Sequence, residues 1–179
     1  MNIAVFCSSA VSQPENFAEA ARTLGQWIGT NRHTLVYGGV NAGLMHITAQ
    51  ATAEAGGHII GVVPEKFIQR ADPICHEVVT ATDLNQRKSV MCNLADVFVA
   101  LPGGLGTVDE VISAVSQLKV DKDTGKRLLL LNLDDIFTPL ITLLQSLCQG
   151  PLASVVHQKH YLSVDNTNQL ITTLNQISS

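Results

Sequence analysis

The sequence predicts an α/β fold: a mainly parallel sheet of about six or seven strands between two layers of helix, a three-layer arrangement. Short apolar runs alternate with segments of helical periodicity along the 179 residues, which is the pattern of repeated β–α units. Several of these runs are apolar without alternation, DVFVAL at 96–101 most clearly, as strands buried on both faces are. Glycines cluster directly after two of the runs, at the carboxyl ends where open parallel sheets take their ligands.

The elements follow in order. IAVFC (3–7) reads as the first strand, and Pro14 to Asn31 as a helix with Phe17, Ala21, Leu24 and Ile28 on one stripe. TLVYGG (34–39) is a strand ending in glycines, Gly43 to Ala55 a helix closed by Gly56-Gly57, and HIIGVV (58–63) a strand stopped by Pro64. Glu65 to His76 has no regular period and is expected as loop or short helix. EVVTAT (77–82) is the fourth strand, Asp83 to Ala95 a helix, DVFVAL the fifth strand and Thr107 to Val120 a helix. RLLLLN (127–132) is the sixth strand and Asp135 to Gln149 a helix; a weak strand at His160 to Val164 and a helix at Thr167 to Ile177 complete the series.

Composition narrows the function. Hydrophobic residues make up 46% and charged residues 15%, a globular balance. Without a repeat or linker, one domain over 1–179 is expected. The net charge of -4 argues against a nucleic-acid partner, which calls for a basic surface. The longest apolar runs, such as LLLLNL at 128–133, are far too short to span a membrane. MNIAVFCSS has no basic n-region and reads as a strand rather than a signal peptide. Cys7, Cys75, Cys92 and Cys148 form no CxxC pair, so a reduced, cytoplasmic setting with the cysteines as small buried hydrophobes is expected. His157 and His160 have HxxH spacing without a nearby acidic residue and read as a surface pair, so no metal and no cofactor is expected.

The two glycine junctions are YGGVNAGLM (37–45) and LPGGLGTVDE (101–110). Glycine lets backbone N–H groups approach an anion, and the following helix N-terminus favours negative charge. Neither is a P-loop or a dinucleotide fingerprint: Leu44-Met45 follows Gly43, and Asp109 stands where GxGxxG needs its last glycine. For Gly38, Gly39 and Gly43, a tight turn with close helix–strand packing explains the glycines as well as ligand contact does. Gly103, Gly104 and Gly106 followed by Thr107 form a denser cluster, for which a phosphate site is the better reading. Thr107 and Glu110 also fit a capping box, with Thr107 as N-cap and Glu110 at N3, and spacing alone does not separate capping from chemistry.

The helix at 83–95 separates them better. Leu84, Met91, Leu94 and Ala95 share one face, and Arg87 and Lys88 enter or flank it. A cation there needs a partner: Glu110, Asp109, a bound phosphate, or solvent reached by snorkelling. Snorkelling suits Lys88; Arg87, nearer the centre of the stripe, calls for a fixed partner.

Taken together, Cys7-Ser8-Ser9, YGGxxxGLM at 37–45, RKxxM at 87–91 and PGGxGTxxE at 102–110 resemble the Lonely Guy (LOG) family, often mislabelled "lysine decarboxylase". The resemblance runs over nearly the whole chain. It implies a Rossmann-like fold, a homodimer, and hydrolysis of the N-glycosidic bond of a nucleoside 5′-monophosphate, AMP or a cytokinin riboside 5′-monophosphate, to free base and ribose 5-phosphate. By resemblance Arg87 and Glu110 are the catalytic pair and Gly103, Gly104, Gly106 and Thr107 the phosphate loop. Ser8, Ser9, Gly38, Gly39, Lys88 and Met91 are assigned with them to nucleotide binding. Val40, His46 and Asn85 stand where the family commonly has glycine, glycine and histidine. The alternative expectation is a non-catalytic nucleotide or phosphate-ligand carrier of the same fold. A pyridoxal-dependent decarboxylase and a pure interaction module fit these residues less well.

Overall fold

A computed structural model describes residues 1–120, 125–149 and 160–178. Among these residues seven parallel strands form one sheet: β1 (Asn2–Phe6), β2 (Thr34–Tyr37), β3 (His58–Pro64), β4 (Glu77–Ala81), β5 (Val97–Ala100), β6 (Leu128–Leu131) and β7 (Tyr161–Val164). Their spatial order is β4-β3-β2-β1-β5-β6-β7. The helices between them are α1 (Glu15–Thr30), α2 (Gly43–Glu54), α3 (Leu84–Leu94), α4 (Leu105–Val120), α5 (Thr138–Gln149) and α6 (Thr167–Ser178). The chain order reverses direction between β1 and β5, which opens a crevice at their carboxyl ends.

Strand pleating splits the core into two halves. Ile3 and Val5 of β1 face one way and pack with Leu24 and Ile28 of α1, Leu44 of α2 and Leu170 of α6. Ala4 and Phe6 face the other way and pack with Met91 and Cys92 of α3 and Val111 of α4. The predicted α1 stripe is realised: Ala21, Leu24 and Ile28 are buried, and Phe17 packs at the edge of the cluster. Gly25 and Gly29 let α1 lie directly on α2; a Cβ on Gly25 would stand 2.4 Å from the Thr48 carbonyl oxygen.

Some boundaries and faces differ from expectation. Within Glu65 to His76, by contrast, the expected loop or short helix is found, as a short 3-10 helix at Glu65–Arg70. The segment before α5 is also 3-10, at Leu133–Asp135, with Asp134 in the left-handed region at φ 51°. β2 stops before its glycines, because Gly39 turns the chain at φ 67°. Leu84, expected on the buried face of α3, is 45% exposed. It is the first residue of α3, and Asp83 caps the helix there through the Asn85 and Gln86 N–H groups. The largest correction concerns α4. It starts at Leu105, so Thr107 lies inside the first turn and the Thr107–Glu110 capping box does not form.

Among the described residues no helix is long and apolar enough to cross a membrane, and no group of three or more His, Cys, Asp and Glu could hold a metal ion. His157 lies outside the described residues.

Candidate active site

A cavity of about 390 Å³ opens at the carboxyl ends of β1 and β5. The loop after β1 supplies Cys7, Ser8, Ser9 and Ala10. The start of α4 supplies Gly104, Gly106, Thr107 and Glu110, and Met45 of α2 and Arg87 of α3 close the remaining sides.

Backbone contacts fix the β1 loop against both glycine junctions. The Ser8 N–H donates to the Pro102 carbonyl (3.2 Å), and the Ser8 carbonyl accepts from the Met45 N–H (3.4 Å). Gly43 sits in the left-handed region at φ 58°, and a Cβ on it would stand 2.4 Å from the Ala10 carbonyl oxygen. Its glycine is therefore required twice, by conformation and by close approach. Ser8 Oγ accepts from the Ala10 N–H at 3.0 Å, which closes a local turn.

The second junction divides its glycines between two jobs. A Cβ on Gly103 would lie 2.0 Å from Thr107 Oγ1, so Gly103 makes room for the buried Thr107 side chain. A Cβ on Gly104 or Gly106 would meet nothing within 4 Å. Neither has a positive φ, and both line the cavity. Their bare backbone leaves open the space a ligand would fill. The Val108 N–H already donates to Gly104 O at 3.1 Å, whereas the N–H groups earlier in the turn lie outside the helical ladder. The positive end of the helix dipole lies behind them, and Thr107, Ser8 and Ser9 line the same cavity, an arrangement whose chemistry suits an anion.

Arg87 crosses from α3 to this cavity. Its Nε donates to the Val62 carbonyl at 3.1 Å, and Nη2 stands 3.1 Å from Glu110 Oε1. The two side chains are 12% and 5% exposed. Oε1 is nonetheless left without an aligned hydrogen bond; the two charges touch by distance, and the oxygen keeps its accepting capacity. Burial pushes the Glu110 carboxyl up to about 7, against the pull of Arg87; Asp109 adds to the rise and Lys88 opposes it. Burial, with the Glu110 charge behind it, also drives the Cys7 thiol upward, so Cys7 is an unionised wall of the cavity. Lys88 is paired one step further along, its Nζ 2.8 and 2.7 Å from the two Asp109 oxygens.

Of the residues assigned from sequence, Ser8, Ser9, Arg87, Gly104, Gly106, Thr107 and Glu110 meet at the cavity. Gly38, Gly39, Lys88, Met91 and Gly103 do not line it. Met91 is fully buried in the core beneath α3. Gly39 turns the chain, and a Cβ on it would lie 2.4 Å from Val63 Cγ2. Cys7, Ala10 and Met45 line the cavity without having been assigned; the CSS and GLM segments that carry the resemblance held the signal for the first and last. Of the departures from the family pattern, Val40 forms an antiparallel bridge with Ala71, and His46 Nδ1 stands 2.7 Å from buried Asp72 Oδ2. Asn85 is exposed.

A family model described as "Possible lysine decarboxylase" matches residues 45–174. Among curated proteins, cytokinin riboside 5′-monophosphate phosphoribohydrolase LOG5 of Arabidopsis thaliana is 33% identical over 177 residues, covering 96% of this chain and 76% of that protein. The chain belongs to the LOG family. LOG7 of the same plant is 33% identical over 178 residues, with 97% of this chain and 81% of that protein covered. Among solved structures, the molybdenum cofactor binding protein of Rippkaea orientalis superposes with a TM-score of 0.77 at 22% identity, over 99% of this chain and 97% of that one. The molybdenum cofactor carrier protein of Chlamydomonas reinhardtii gives 0.77 at 23% identity, over 98% and 96%. At these identities the likeness concerns the fold alone. The LOG fold is thus shared with proteins described as binding or carrying the molybdenum cofactor, and function must be argued from the site.

Proposed function

We propose that this LOG-family chain hydrolyses the N-glycosidic bond of a nucleoside 5′-monophosphate, AMP or a cytokinin riboside 5′-monophosphate, to free base and ribose 5-phosphate. The observation that carries the reading is the buried Glu110–Arg87 pair on the wall of the same cavity as the open Gly104–Gly106 backbone.

The 5′-phosphate sits at the start of α4, on the N–H groups around Gly104 and Gly106 and on the hydroxyls of Thr107, Ser8 and Ser9. Binding energy at this remote group places the ribose against Glu110. As the bond from C1′ to the base nitrogen lengthens, its electron pair leaves with the base and positive charge grows on the ribose ring. The Glu110 carboxylate faces that charge and takes a proton from the attacking water, whose oxygen joins C1′. The proton ends on the base nitrogen. Arg87 keeps part of the Glu110 population ionised against the pull of burial. With Nε on Val62 and Nη2 on Glu110, Arg87 serves the carboxylate first and not the phosphate.

A decarboxylase of the pyridoxal type would need a lysine amine for a Schiff base. Lys88, the lysine nearest the cavity motifs, is held by Asp109. The family resemblance further supports a homodimer, and the absence of a CxxC pair among the cysteines supports a cytoplasmic setting; Leu84 on α3 and Leu105 and Ile112 on α4 are exposed apolar side chains. Incubation with AMP tests the reading: adenine and ribose 5-phosphate appear with the native protein, and AMP is recovered intact if the protein is a carrier. Adenosine, without the phosphate, is turned over far more slowly.

A further inference from the structure

We infer that Gly38 is a positioning residue: having no Cβ, it leaves the space in which the Arg87 guanidinium is held against Glu110. The inference deepens the proposed function and rests on its assignment of Arg87 and Glu110.

Gly38 follows β2 directly and, unlike Gly39, has no positive φ. Its conformation therefore admits any residue, and its glycine must be explained by space. A Cβ at this position would stand 2.0 Å from Arg87 Nη2, and 3.0 and 3.1 Å from Met45 Cε and Sδ. Nη2 is the atom that approaches Glu110 Oε1 at 3.1 Å. Nε is tied to the Val62 carbonyl at 3.1 Å. The guanidinium is thus seated between the ends of β2 and β3 and the first turns of α4, and Gly38 is the wall that lets it in. The three atoms that a methyl group there meets first are the tips of two flexible side chains. The methyl displaces the guanidinium and leaves the fold in place.

The charged and titratable groups facing Glu110 are Arg87 and Lys88 from α3, Asp109 on α4 itself, and Cys7 at the end of β1. Arg87 is the foremost of the cations that favour the ionised carboxyl. Moving its guanidinium raises the pH at which Glu110 ionises, which a merely structural glycine would not do.

The test is a double-mutant cycle on G38A and R87A, read by NMR titration of the Glu110 carboxyl and by turnover of AMP. The expected result is that G38A raises the Glu110 midpoint in the same direction as R87A, and that G38A/R87A goes no further than R87A alone. In turnover, kcat of G38A falls about tenfold or more while KM changes by less than about threefold, the signature of an interaction lost in the transition state. A Glu110 midpoint unchanged in G38A, or single effects that add in the double variant, would overturn the inference. If G38A fails to fold, G38A/R87A decides: recovery of folding locates the clash at Arg87 and supports the inference, and continued unfolding overturns it. Should the native protein turn over no nucleotide, the proposed function fails by itself, and the carboxyl titration still decides the role of Gly38.

Discussion

Glu110 is buried in a cavity wall with an oxygen whose hydrogen-bonding capacity is unfilled. Such a carboxyl is costly to ionise, and the cost has a sign that can be measured. The unfolded chain gives up this proton near the ordinary value of 4.5, the folded chain at about 7. Between those values the folded state holds the extra proton, so stability falls as pH rises through the window and stays lower above it. Glu110→Gln, a neutral mimic, is therefore expected to raise stability at pH 8 by up to about 3 kcal/mol and to change little at pH 4, as thermal denaturation at the two pH values will show. Activity runs the opposite way. If the ionised carboxylate does the work, kcat/KM, which reports the free protein, rises with pH through the region near 7, and a kcat/KM profile falling through that region would assign Glu110 as an acid instead. From sequence Glu110 was ambiguous, because a capping glutamate and a catalytic one have the same spacing from Thr107. Arg87 removes the capping reading: a guanidinium on an apolar stripe needs a buried partner, and the structure supplies Glu110. The partner of Lys88 was less legible. A lysine beside an apolar face reaches solvent by snorkelling as readily as it meets Asp109, and only the placement of α3 beside α4 decides.

The start of α4 shows where element boundaries matter. Placing the N-cap at Thr107 gave Glu110 to the backbone; beginning the helix at Leu105 moves it a turn inward and turns it toward Arg87. Glycine's poor helix propensity hid this start, since Gly106 looks like loop but lies within the first turn. The misfit is itself informative, because Gly106 lies in helical backbone and a Cβ there would meet nothing within 4 Å. Gly106→Ala is expected to leave the fold unchanged or more stable by about 0.5–1 kcal/mol. It should weaken AMP about tenfold or more through the space it takes from the phosphate, an effect of about 1.4 kcal/mol or greater. Denaturation and equilibrium binding on the same preparation will show both. Equal affinity in the variant would mean that the phosphate lies elsewhere.

Across the whole molecule, the alternation of apolar runs and helical stripes made the strands and helices readable, since each period follows from burial alone. Strand order was not readable. The crossover from edge strand β4 to β5 beside β1 carries α3 beneath β3, β2 and β1 and sets it against α4, and this brings Arg87 to the cavity that the β1 loop, α2 and the start of α4 build. Local sequence holds no record of that path; the resemblance supplied the pairing that periodicity could not. Because ligand binding stabilises the fold it selects, AMP at about 100 times its Kd should add about 2.7 kcal/mol to the unfolding free energy. Adenosine at the same concentration should add far less, and equal thermal shifts would remove the phosphate from the account. If the homodimer proposal holds, light scattering will give twice the chain mass of 19.2 kDa.

The most direct measurement is the release of free base from AMP by the native protein, Glu110→Gln and Arg87→Ala, each shown by circular dichroism to be folded. The account predicts adenine and ribose 5-phosphate in equal amounts from the native protein, and a loss of at least about a hundredfold, roughly 2.7 kcal/mol of barrier, in both variants. Full activity in both variants, or intact AMP after incubation with the native protein, would contradict it.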